Sequence, residues 1–150
     1  MRRWLMAGAV ALLATGVQAE ETVTQPWAKS SLADSRSTGV FMEIVSTEGG
    51  VIVGARSPLA RSVELRDMSL ELDGGPLRPV KLEQIVLPAR KKLYLTPVSE
   101  HFMLIGLSQP VKSGDRIPLI IKLRLRSGEE RELQVEAIAR GLPPPAAAAR

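Results

Sequence analysis

The sequence predicts an all-β chain folded as a two-sheet β-sandwich, on three observations. Apolar residues recur at every second position in short segments, and Gly, Pro, Asp and Ser punctuate those segments at close intervals. Beyond the first nineteen residues, no stretch sustains a helical stripe longer than about two turns, and many short strands with regular turns are the pattern of a sandwich. Thr22–Lys29 is the first expected strand, followed by a polar stretch over Ser30–Thr38. Gly39–Ser46 comes next, with Val40, Met42 and Ile44 on one face and Phe41 and Val45 on the other, because successive strand side chains point to opposite faces. A turn over Thr47–Gly50 leads to Val51–Ser57, and Ser62–Met68 then alternates Val63 and Leu65 against Glu64 and Arg66. Gly74-Gly75 marks a tight connection. Shorter strands are expected at Leu77–Leu82, Gln84–Leu87 and Lys91–Thr96, and longer ones at Glu100–Leu107, Arg116–Arg126 and Glu130–Ala139. Pro79, Pro88, Pro97, Pro110 and Pro118 should lie at strand ends or edges, because proline cannot donate to a ladder.

Three segments are expected from composition: a signal peptide over residues 1–19, one β-sandwich domain over 20–140 and a disordered Pro/Ala tail over 141–150. Arg2 and Arg3 precede the apolar run Trp4–Val17, and Val17-Gln18-Ala19 offers the small residues of a cleavage site, the layout of a secretory signal. The expected location is therefore the periplasm, with no membrane span after cleavage. The chain carries a net charge of +4, which becomes +2 once Arg2 and Arg3 are removed, and acidic residues alternate with basic ones along most of its length. Aromatic residues are only 3% of the chain, so the concentrated basic face with stacking rings that nucleic acid demands is missing. Arg90-Lys91-Lys92 is the one basic run; it reads as a solvated turn, with an acidic partner or a lipid headgroup as the minor reading. Asp67, Glu71 and Asp73 are too irregularly spaced for a cation loop and read as a solvated hairpin.

Absences narrow the chemistry further. There is no cysteine, which removes a disulfide framework, a blue-copper thiolate and a Cys nucleophile. A single histidine, His101, rules out a three-His zinc centre and leaves one imidazole with no evident Ser-His-Asp arrangement around it. No enzymatic activity is expected. In His101-Phe102-Met103-Leu104 the strand period puts the imidazole and the thioether on one surface, with Phe102 and Leu104 in the core. An imidazole beside a thioether is a soft pair suited to Cu(I), although a surface His and a gap-filling Met are the plainer reading. Met68 joins them as the third candidate metal ligand, because it falls on the outward face of its strand, opposite to Val63 and Leu65.

A run of segments resembles the periplasmic PCu(A)C copper chaperones: Trp27-Ala28, Thr38-Gly39-Val40-Phe41-Met42, Gly54-Ala55-Arg56-Ser57-Pro58, Val63-Glu64-Leu65, Leu77-Arg78-Pro79-Val80, His101 through Leu107, and the Gly114-Asp115 turn before Ile117-Pro118-Leu119. The resemblance implies a cupredoxin-like (immunoglobulin-like) Greek-key β-sandwich. It also implies a Cu(I) site built from a His, a Met and a later His-x-Met pair. His101 and Met103 match the closing pair. Arg66 stands where the family has its first His, Leu77 stands where it has a Met, and Met68 matches a secondary Met position. The resemblance thus implies a divergent member with an incomplete site and weak or absent Cu(I). A guanidinium about 4 Å from a copper ion, at an effective dielectric of about 20, would repel it by roughly 4 kcal/mol, or about three decades of affinity. The implied role is to hold Cu(I) at an exposed His/Met site and pass it to a respiratory oxidase assembly partner; the implied partner is a copper-accepting or copper-donating periplasmic protein, an oxidase subunit or assembly factor. The alternative is a non-metal adaptor that kept the sandwich and acts through protein–protein contact.

Overall fold

The computed structural model describes residues 20–70 and 75–141, without the Leu70 side chain, and no helix occurs among them. The expected signal peptide over residues 1–19, Glu71, Asp73, Gly74 and the expected tail beyond Gly141 lie outside the described residues. Ten strands follow in chain order: β1 (Glu21–Lys29), β2 (Ser37–Ser46), β3 (Gly50–Arg56), β4 (Ala60–Leu70), β5 (Leu77–Leu82), β6 (Ile85–Leu87), β7 (Lys92–Leu95), β8 (His101–Leu107), β9 (Arg116–Leu125) and β10 (Glu130–Arg140). All ten were expected from the period-two pattern. Several run a residue or two further, because backbone pairing continues past the last alternating side chain.

The hydrogen-bonded path is β5-β4-β8-β2-β1-β10-β9-β3-β6, with β7 attached to β2. This path folds over on itself, so that Val40, Met42, Leu65, Phe102 and Leu104 share one core with Ile52, Ile85, Ile121, Leu123 and Val135. The architecture is the expected cupredoxin-like sandwich. Strand β9 shows the cause most clearly, since Ile117, Leu119, Ile121, Leu123 and Leu125 are buried and alternate with more exposed residues. Pro118 lies within β9, but β3 pairs only from Ile120 onward, so no ladder bond is lost on that side. Pro79 sits in β5, at one end of the path.

Strand β2 is shared. Its first half, Ser37–Val40, pairs with β8, and its second half, Met42–Val45, pairs with β7. The Thr96–Glu100 connection joins β7 to β8 and delivers the chain to His101 at the changeover, level with Phe41.

Candidate functional site

The face of the β4–β8–β2–β1 layer turned away from the core carries the candidate residues. Register fixes their order: Arg66 lies opposite His101 and Glu64 opposite Met103 across β4 and β8, while Met103 lies opposite Gly39 of β2. Met68 is one same-face step beyond Arg66 and is also paired with Pro79 of β5. Diagonal strand neighbours stand about 7–8 Å apart, within reach of long side chains. Leu77 is on this face too, 44% exposed at the start of β5.

His101 is 3% exposed, which corrects the expectation of a surface imidazole. Two neighbours account for its burial. The Phe41 ring lies 5.6 Å from it, centroid to centroid, and Phe41 is itself covered by Trp27 at 4.6 Å. Arg140 closes the far end of the row, 4.2 Å over the Trp27 ring. The second neighbour is the Thr96–Glu100 turn, whose Ser99 carbonyl oxygen lies 2.7 Å from Nδ1 of His101. A carbonyl only accepts, so Nδ1 carries a proton and, in the neutral ring, Nε2 keeps its lone pair. This is the tautomer in which Nε2 serves as a ligand, held by a backbone carbonyl behind it.

Met103 is half-buried and borders a concavity of about 270 Å³ lined by Ser31, Leu32, Ser37, Thr38 and Gly39. Neither His101 nor Met68 lines that concavity. Strand register puts the three candidates on one face. Among the described residues no cluster of three or more His, Asp or Glu forms a hard-ligand metal site.

Arg66 turns along its own strand. Its Nε and Nη2 donate to Oε2 of Glu64 at 3.0 and 2.9 Å, and Lys81 Nζ stands 3.8 Å from the other oxygen of the same carboxylate. Asp67 accepts instead from the Met68 backbone N–H at 2.7 Å. Glu100, next to His101, has its carboxyl pushed above the ordinary range by burial and, secondarily, by the negative charge of Asp67.

Sequence reasoning assigned no role to Ser99 or the Trp27–Phe41 pair at this site, whereas Glu64 was one of the groups toward which Arg66 was expected to swing. The period-two rule places Gly39 and Phe41 beside Met103 and His101 once β2 and β8 are known to be neighbours, but that pairing is not written in either strand. Gly106 closes the motif for a backbone reason: its φ is +70°, and a Cβ there would meet Cβ of Arg61 at 2.9 Å.

Residues 22–137 match the family model described as "Putative lipoprotein LpqE-like". "Putative lipoprotein Lxx21020" of Leifsonia xyli subsp. xyli is 31% identical over 111 residues, covering 73% of this chain and 63% of that relative's length. Among solved structures, a copper-bound PCuAC domain from PmoF2 superposes with a TM-score of 0.63 at 17% identity, covering 81% of this chain and 93% of that domain. The CuI-DR1885 solution structure from Deinococcus radiodurans is similar, with a TM-score of 0.57 and 32% identity, over 84% of this chain and 83% of that one.

Proposed function

This chain belongs to the LpqE-like family, and we propose from that premise that it is an exported, copper-chaperone-like binding protein of the bacterial cell envelope. Solved neighbours include copper-bound and Cu(I) forms, which supports copper as the cargo. The observation that carries this reading is the His101 geometry. With Nδ1 bound to the Ser99 carbonyl, Nε2 is the free lone pair, as a soft-metal ligand requires. Met103 and Met68 are the thioether partners, and Cu(I) accepts such a low-coordinate soft set. The residues fit a weak, exchangeable site rather than a four-ligand one. Arg66 and Leu77 occupy positions where two further ligands would stand. Glu64 offsets part of the Arg66 charge by holding the guanidinium along β4. Transfer proceeds by stepwise ligand exchange with a periplasmic acceptor, an oxidase subunit or its assembly factor, and no bond-making catalysis is involved.

A second reading is favoured by one observation: Arg66 is directly opposite His101, putting a fixed cation beside any bound ion. On that reading the chain is an adaptor without copper. Competition against a coloured Cu(I) chelator separates the two. Wild type should withdraw Cu(I) and His101→Ala should not, Met103→Ala should weaken withdrawal, and Arg66→His should tighten it at least tenfold, since half of the roughly 4 kcal/mol repulsion already exceeds one decade. A wild type that never competes while Arg66→His does establishes the adaptor. Failure of both removes copper from the account.

A further inference from the structure

A second surface lies at the end of the sandwich where β2 finishes. The Ser46–Gly50 turn, the β6–β7 connection and the end of β9 meet there: Arg90 N–H donates to the Ser46 carbonyl at 2.7 Å, and Arg126 N–H to the Gly49 carbonyl at 3.0 Å. Between them is an open groove of about 550 Å³ with an apolar floor that includes Val51, Val86 and Leu125, bordered by Lys91, Arg124 and Arg126. Val86 is 64% exposed on β6, the strand that ends the hydrogen-bonded path. Arg90, Lys91 and Arg126 make no ion pair among the described residues, and Arg124 reaches Glu130 only at 3.8 Å. Glu48, a second nearby acid, is turned to the Ser127 backbone N–H. An exposed Val86 beside the cations Lys91 and Arg126 matches an anionic bilayer surface, in which headgroup charge and acyl carbon lie side by side.

The path of the chain points the same way. Glu20 and Thr47 are tied by two hydrogen bonds of 3.0 Å, Glu20 N–H to Thr47 Oγ1 and Thr47 N–H to the Glu20 carbonyl. Glu20, where the described residues begin, therefore lies beside the Ser46–Gly50 turn, at the groove end. We propose that this groove docks the domain on anionic phospholipid headgroups, with Lys91, Arg124 and Arg126 over the phosphates and Val86 against the acyl boundary. Along β2 the groove end is five residues from the level of His101, or about 16 Å at strand rise, so docking leaves the candidate copper face clear.

The test is co-sedimentation of the full chain with phosphatidylcholine vesicles, with or without phosphatidylglycerol, at 0.1 M salt. Residues 1–19, with Arg2 and Arg3, are common to wild type and variants, so the readout is the change between them in the ratio of the two affinities. Wild type should prefer anionic vesicles, and Lys91→Glu/Arg126→Glu should cut that preference at least 25-fold, at about fivefold per charge removed. Lys112→Glu/Arg116→Glu, which makes the same charge change at the opposite end, should leave most of it. Unchanged thermal midpoints establish that the variants are folded. Equal loss in both double variants would reduce the effect to net charge and overturn the proposal. No preference in wild type would overturn it as well.

Discussion

Gly39 has no Cβ, and one built there would stand 2.5 Å from Cζ of Phe41, so the ring rests over the backbone of its own strand. That seat lets Phe41 touch both Trp27 and His101. Gly39→Ala must push the ring aside, and such overpacking costs about 1–3 kcal/mol; urea unfolding should show it. Trp27 should report the same disturbance through its fluorescence, as the one tryptophan among the described residues. Glu100 offers a pH test. Its carboxyl is raised by burial and by Asp67, so between the ordinary value of 4.5 and the raised one the native state holds more protons than the unfolded chain. Stability contributed there is present in acid and lost as pH rises through the raised value. Glu100→Gln should therefore raise the urea midpoint at pH 7, with the gain fading below pH 4.5. None of these contacts is legible from spacing alone, because each depends on which strands become neighbours.

Strands were legible and their partners were not. Each strand announces itself by burying one face, as Ile117, Leu119 and Ile121 do in β9. Ser37 and Thr38 look like loop residues, yet they open β2 because Ile105 and Leu104 of β8 pair with them. The face assignments of Phe102 and Leu104 followed from period two, and both are fully buried. The burial of His101 did not follow, since it needs Phe41 from β2 and a turn from Thr96–Glu100. Between elements, the charged contact with the most consequence joins β1 to β10. The Glu21 side chain is 2% exposed and its carboxylate meets Nη1 of Arg131 at 2.8 Å. Arg131→Ala would leave a buried carboxylate without its counter-charge, whereas Glu21→Gln leaves Arg131 its contact with Glu129. Thermal melts should accordingly show the larger drop for Arg131→Ala.

At the scale of the molecule, a chain without cysteine rests on one apolar core. Arg56–Glu132, Lys92–Glu43 and Arg116–Glu136 are largely solvent-facing, and such pairs contribute about 0–1 kcal/mol each. Raising the salt to 1 M should leave the thermal midpoint nearly unchanged, while Phe102→Ala should cost about 3–5 kcal/mol. The shared strand β2 has a consequence of its own. Val40 is laddered to β8 and Met42 to β7, so deuteration of those β2 amides that face away from β1 should proceed in two blocks that divide at Phe41. The four-residue β7 lets its half go early, and β8 shields the other until global opening. His101 sits at the boundary between a latch and a wall, where a visiting surface could lift one without breaching the other.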